Sequence, residues 1–420
     1  MDHPFLTTLI LVGAFALALI AQWRGWRPSL RVALAVGIGL RLSLLIFAAA
    51  DSWQPVDFME SFKPAAEAVM AGQDPVLTTE GAWHFLPMIP YAYVLPMSLG
   101  IPWEISGRLI TVAADVVLIV LVGRLAGRHE ALARFQYACN PIALMVAVIH
   151  SQVEPVALVF LVAAYVTARS ARSAHEASES ARWLLRCLGA GALFGLALSA
   201  KSWPIILLPV VLSMLPTWRQ RFYGLVAAGA VPLLFLVTQP LFVHTTLKSL
   251  LNVAQYLGGV RPIVGEWGWT AVLTGGNWEL KPTYSQIGQI VLYSSLAIVA
   301  WLWRRGDRVD MTLAMLLIFM VVTPRMGAQY LLWFVPFLVA RPTRWAPLAM
   351  GASALWAGLG YIYLTQFDDT QWWINHRWWA VSSVYVIPLL VIAMPWARRR
   401  MGGVPSKPPP ATTPELVGAA

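Results

Sequence analysis

Side chains able to do chemistry are sparse in this chain, and the richest stretch is residues 51–84, where Asp51, Asp57, Glu60 and His84 stand between long apolar runs. A carboxylate facing water can accept a proton from a hydroxyl substrate, so Asp57 and Glu60 are candidate catalytic groups. The same Asp57-x-x-Glu60 spacing, just before an apolar helical run, is also a capping-box variant. In that reading Asp57 bonds free backbone N–H groups and Glu60 reaches back. The two roles are compatible, and Glu60 fits either one.

A second cluster is His150-Ser-Gln152-Val-Glu154, four polar side chains at a tight junction between apolar segments. Ionisable groups at membrane depth are functional candidates, while a polar turn that satisfies helix ends is the simpler alternative. The spacing matches no zinc motif such as His-Glu-x-x-His, so no metal site or other cofactor is expected, although a divalent metal stays open. Lys201 follows an apolar run, where it either snorkels to the interface or meets an anionic phosphate. Arg325 adds a second cation, and guanidinium binds phosphate oxygens in bidentate fashion. Carboxylates paired with Lys201 and Arg325 suit a phosphate-bearing donor. His84, His150, Gln152, Glu154, Gln329 and Tyr330 are then candidate substrate contacts. Arg41 and Asp115 fall inside apolar runs and are expected to pair with each other. Asp368-Asp369, with Trp372, Trp373, Trp378 and Trp379, reads as an acidic turn beside an aromatic belt.

The elements that position these groups are membrane helices. Of 420 residues 58% are apolar and 12% charged, with mean hydropathy +0.65, against roughly 45–50% and 25% in soluble domains. That composition describes an all-α polytopic membrane protein. The net charge of +10 reflects arginines that anchor cytoplasmic connectors, so membrane lipids are expected partners and nucleic acid is not. Apolar runs give about thirteen helices: 5–22, 31–50, 105–123, 137–150, 154–168, 187–200, 204–216, 224–242, 284–303, 310–323, 329–341, 345–364 and 380–396. Setting the Arg-rich connectors inside puts the N-terminus and most acidic residues outside.

Three long loops, 51–104, 243–283 and 365–379, then face outward. In the first, Phe58, Phe62, Ala66, Val69 and Met70 recur at helical spacing up to Gly72, and 85–101 is apolar but broken by Pro87, Pro90 and Pro96. Both segments read as helices at the outer interface. The second loop mixes Gly258-Gly259 with Trp267, Trp269 and Trp278, which read as interfacial aromatics. Cys139 and Cys187 have no ligand spacing and read as inert thiols. The first apolar run lacks a basic leader and reads as a retained helix. Residues 1–400 form one integral membrane domain, and the Pro-rich 401–420 a disordered cytoplasmic tail.

Several fragments resemble the GT-C superfamily of polytopic glycosyltransferases that use lipid-phosphate-linked sugars. The nearest resemblance is to the catalytic mannosyltransferase of glycosylphosphatidylinositol assembly. Gly39-Leu-Arg41-Leu, Asp57-Phe58, Ala65-Ala66 and Gly72-Gln-Asp74-Pro75 are similar to its arginine-bearing first helix, acidic loop and following helix. Asn140-Pro141 with Gln152-Val-Glu154, Gly195-Leu-Ala-Leu-Ser-Ala-Lys201-Ser-Trp-Pro204, and Gln329-Tyr330-Leu-Leu-Trp333 resemble later landmarks, in order. One feature departs: that pattern has two acidic residues one apart in the outer loop, whereas here position 55 is Pro and Asp57 alone remains. Bacterial GT-C enzymes that transfer mannose, arabinofuranose or other sugars stay open.

The resemblance implies a polyprenyl-phosphate sugar donor, a lipid or glycan acceptor, Asp57 as base, inversion, and Lys201 with Arg325 on the leaving phosphate. The expected activity is a membrane glycosyltransferase of the outer face. The rival is a transporter or flippase of a lipid-linked sugar, in which Arg41, Asp115 and Lys201 line a polar pathway. Such proteins often carry duplicated, interrupted halves, and no internal repeat is visible.

Overall fold

A computed structural model describes residues 2–176, 180–246, 248–249, 251, 265–277, 279, 282–364 and 374–399. Among these, helices form and no strand does, apart from an isolated bridge between Gln73 and His244. The first half runs α1 (Pro4–Trp23), α2 (Leu30–Ala50), a π-helical turn (Asp57–Phe62) into α3 (Lys63–Met70), α4 (Pro75–Thr78), α5 (Met88–Ser98) and α6 (Trp103–Ala126). Then come α7 (Glu130–Ala138), α8 (Pro141–Leu144) with a second π turn (Met145–Ile149), α9 (Glu154–Glu176), α10 (Ser180–Ala200), α11 (Leu208–Met214) and α12 (Trp218–Phe242). The rest is α13 (Gly268–Thr274), α14 (Pro282–Leu302), α15 (Arg308–Val322), α16 (Val335–Ala340), α17 (Ala346–Gly358) with a third π turn (Leu359–Tyr363), α18 (Arg377–Ser382) and α19 (Ile387–Ile392).

The protein is an all-α polytopic membrane protein, but thirteen full spans are not seen. Eight helices among the described residues are long and apolar enough to cross a membrane. The expected spans at 137–150, 204–216 and 329–341 are broken instead. Pro141, Pro204, Pro209 and Pro336 each sit in the first turn of a new short helix, because proline lacks an N–H and its ring blocks the preceding turn. α15 has 15 residues and α17 has 13, below the roughly 20 of a full span. Exposed apolar side chains such as Val12 on α1, Leu233 on α12 and Ile290 on α14 give these helices the surface that faces lipid.

Close approach of α10 to α12 rests on small residues, as in other membrane helix pairs. A Cβ on Gly191 would lie 2.2 Å from the Gly224 carbonyl oxygen, and one on Gly195 2.7 Å from that of Ala228. The Arg41–Asp115 pair forms as expected. Arg41 Nε and Nη2 donate to Asp115 Oδ2 at 2.8 and 2.5 Å, Tyr137 donates to Oδ1 at 2.6 Å, and both charges are fully buried. The pair pins α2 to α6.

A second, smaller core lies over the ends of α6 and α9, built by Phe58, Phe62, Trp83, Ile89, Tyr93 and Trp103. The helices expected within residues 51–104 are present, with one change of phase. Phe58, Phe62 and Ala66 are buried, but so are Ala65 and Ala68, whereas Met70 is exposed. The π turn takes one extra residue, which rotates the following helix by about 100°.

Two aromatic expectations are corrected. Trp267 is buried, donating to the Met320 carbonyl at 2.6 Å and packing edge-on against Trp356. Trp379 stacks on Trp356, centroids 4.4 Å apart, and each indole donates to the other's carbonyl. These are internal clasps, because a buried indole must find an acceptor. Trp378 is exposed as an interfacial residue would be. Gly258-Gly259, Trp278, Asp368-Asp369, Trp372, Trp373 and residues 401–420 lie outside the described residues.

Candidate active site

Each of the three π-helical turns brings one polar or aromatic side chain to the same place. The first begins at Asp57, the second runs into His150, and the third contains Tyr361. Such turns are frequent at functional sites because they re-aim a side chain without ending the helix. Between His150 and Gln152, Ser151 has φ of 49°, a left-handed conformation uncommon outside glycine. Its hydroxyl donates to the Gly107 carbonyl at 3.2 Å.

That local geometry turns the Gln152 amide onto two partners. Gln152 Nε2 donates to Asp57 Oδ2 at 2.9 Å and lies 2.9 Å from His150 Nδ1. An amide nitrogen only donates, so His150 presents its unprotonated Nδ1. The imidazole stacks on Tyr361 at 4.2 Å, and the Tyr361 hydroxyl donates to Gln329 Oε1 at 3.3 Å. Asp57 is exposed while Gln152 is buried, so an exposed carboxylate is held by a buried amide. No side chain caps the first π turn, so Asp57 does not act as the helix cap. Glu60 is exposed and joins none of these contacts.

Lys201, at the end of α10, does not snorkel. It is buried and forms an ion pair with Glu154, the first residue of α9. Its ammonium lies 5.6 Å from the ring centroids of both Phe85 and Tyr330. Tyr330 stacks on Trp333 at 4.4 Å, and Trp333 on Trp203 at 4.0 Å and 8°. Both indole N–H groups and Glu154 Oε2 have no protein partner among the described residues. A stacked aromatic wall with donors at its edge and one acceptor beside it can hold a polyhydroxylated ring.

Arg325 is half-buried and fixed through its backbone. The Thr323 hydroxyl donates to the Arg325 carbonyl at 2.6 Å and accepts from its N–H at 3.3 Å. Its guanidinium makes no hydrogen bond or ion pair among the described residues. It acts electrostatically on His84 and Tyr330. His84 packs on Phe85 at 4.2 Å. Burial holds its imidazole below the ordinary value, opposed by the Ala82 carbonyl and reinforced by the Arg325 charge.

Asp57, His84, His150, Gln152, Glu154, Lys201, Arg325, Gln329 and Tyr330 thus converge on one end of the bundle, and Glu60 stays apart. Arg108 was missed by the sequence reading. Its buried guanidinium lies 4.5 Å from the Phe58 ring centroid and donates to the Val148 carbonyl at 3.0 Å and to Gln54 Oε1 at 2.9 Å. The signal was available, since Arg108 interrupts an apolar run as Arg41 does. Phe58 reaches it because Gly107 leaves room: a Cβ there would stand 2.4 Å from the Phe58 ring. Glu266, between α12 and α13, also lies within electrostatic reach of Tyr330. Tyr361 carried no sequence signal.

Among the described residues, no three His, Cys, Asp or Glu side chains gather closely enough to hold a metal ion. No curated protein and no solved structure matches the chain. Residues 85–324 match glycosyltransferase family 87, a GT-C-type family. His150, Gln152, Glu154 and Lys201 fall within that range, with Asp57, Arg325 and Tyr361 outside it. The match spans more than half of the 420 residues, and the chain accordingly belongs to glycosyltransferase family 87 and is a membrane glycosyltransferase.

Proposed function

We propose that this glycosyltransferase moves a sugar, mannose by its resemblance, from a polyprenyl-phosphate donor to a hydroxyl of a lipid or glycan acceptor on the outer face, with inversion. The observation that carries this reading is an exposed carboxylate fixed by the Gln152 amide, in one site with an arginine whose guanidinium forms no ion pair among the described residues. The first is what a general base needs, and the second is what a leaving phosphate needs.

In the proposed step the acceptor oxygen attacks the anomeric carbon opposite the phosphate. Its proton passes to Asp57, the carbon–oxygen bond to phosphate breaks, and polyprenyl phosphate leaves. Arg325 takes the phosphate oxygens in bidentate fashion. Lys201 contributes positive charge from deeper in the site, oriented by Glu154. The wall of Tyr330, Trp333 and Trp203 supports the sugar, and the His150–Gln152 contact aims Asp57. Glu60 is retained as a secondary candidate for the acceptor side, because it is exposed in the same π turn.

A transport reading loses part of its basis, since Arg41 and Asp115 are sealed together with no exposed surface. The test uses membranes carrying the full chain and a panel of radiolabelled polyprenyl-phosphate sugars, with and without chelator. Asp57→Asn should abolish label transfer while the protein still inserts and unfolds at the wild-type temperature. Undiminished transfer by that variant would refute the assignment of Asp57 as base. Movement of labelled lipid across vesicles without a new glycosidic bond would favour transport.

A further inference from the structure

The helices that carry the candidate active site also lead away from it. α15 runs about 22 Å from Val322, beside Arg325, to Arg308, and α9 runs from Glu154 to Arg169 and Arg172. At this far end a cavity of about 600 Å³ is lined by arginines from separate parts of the chain. Arg169 and Arg172 come from α9, Arg304 and Arg305 from the α14–α15 connector, Arg308 from the start of α15, Arg341 from the connector after α16, and Arg398 from the turn after α19. Asp307 and Asp310 are the acids in its lining. Asp310 is committed, pairing with Arg341 at 2.7 Å and Arg398 at 3.1 Å, and Asp307 caps α15 by accepting from the Val309 N–H at 2.8 Å. Arginine excess at cytoplasmic connectors explains their number but not their convergence on one cavity.

A second feature adjoins it. A groove of about 510 Å³ lies between α11, α14 and α15, lined by Ile205, Val210, Leu296, Ala297, Met311 and Met315. Arg304 and Arg308 line this groove and the basic cavity alike. The groove opens at the protein surface on the apolar helix α14, since Tyr293 and Ala297 in its lining are exposed. An apolar channel that ends on shared arginines fits a molecule with a hydrocarbon tail and an anionic head.

We propose that this end of the protein is a binding site for an anionic phospholipid of the cytoplasmic leaflet, with an acyl chain in the groove and its phosphate on Arg304, Arg305 and Arg308. The site is separate from the sugar-transfer site and does not depend on that reading.

The test is thermal unfolding of the detergent-purified full chain, titrated with phosphatidylglycerol, phosphatidylcholine or inorganic pyrophosphate. Phosphatidylglycerol should raise the unfolding midpoint and the other two should not. Arg304→Gln with Arg305→Gln, two exposed side chains, should weaken the phosphatidylglycerol response about 30-fold, from about fivefold per arginine. Ala297→Trp, which fills the groove from the lipid side, should weaken it independently. Equal responses to phosphatidylcholine, a full response to pyrophosphate, or wild-type titrations in both variants would each overturn the proposal.

Discussion

The Gln152 amide holds the Asp57 carboxylate at 2.9 Å across 95 residues of sequence. This contact ties a residue of the segment between α2 and α3 to the junction between the second π turn and α9. Its removal is expected to separate position from chemistry. Gln152→Leu should retain Asp57 but lower the maximal transfer rate by about 10- to 100-fold, whereas Asp57→Asn should lower it by the roughly 10²–10⁴-fold range of a lost general base. Initial rates at saturating donor compare the two.

Lys201 and Arg325 should behave differently although both are cations of one site. Lys201→Met leaves the Glu154 carboxylate buried and unpaired, an expected loss of about 3–5 kcal/mol of stability, which Lys201→Met with Glu154→Leu should largely restore. Arg325→Gln should leave stability within about 0.5 kcal/mol and instead weaken use of the phosphate donor. Arg325→Lys should recover little of this, because ammonium cannot reproduce a bidentate contact. Unfolding midpoints and donor titrations distinguish the outcomes.

Gly107 should tolerate no side chain. A methyl group at that position meets the Phe58 ring at 2.4 Å, and Phe58 is held between Trp103 and Arg108. Gly107→Ala is expected to destabilise by about 1–3 kcal/mol and to reduce transfer by displacing the residue next to Asp57. Gly189→Ala is the control, since its nearest contact is an ordinary 3.7 Å from Thr167. Both variants are read by the same unfolding and transfer assays.

His84 gives a pH dependence of defined sign. Burial keeps its folded imidazole below the ordinary value, so the unfolded chain takes the proton more readily. The neutral ring's contribution is present above about pH 6.5, the unfolded value, and is lost as pH falls through the folded one. His84→Gln should flatten the acid side of the stability profile relative to wild type. Unfolding midpoints between pH 7.5 and 5 measure the difference.

Membrane character and the Arg41–Asp115 pair were legible in the sequence because both follow from the expense of placing charge in an apolar medium. The lengths of the spans were less legible. Hydropathy marks 204–216 and 329–341 as apolar, but Pro209 and Pro336 decide that each is a broken segment. In the site, residue type pointed to Asp57, Gln152, Glu154 and Lys201, yet the Lys201–Glu154 ion pair spans 47 residues and only folding brings it together. Tyr361 was hidden for another reason. An aromatic residue in an apolar run looks the same to a pattern whether it faces lipid, core or substrate.

The three π turns give the site an unusual origin for its shape. The first opens the path into α3, whereas the second and third continue α8 and α17 to their ends, and a surplus residue advances the side chains that follow it by about 100°. The placing of His150 beside Asp57 is therefore encoded by residue count as well as residue identity. A one-residue deletion in the second turn would leave composition and hydropathy almost untouched while dialling His150 out of the site.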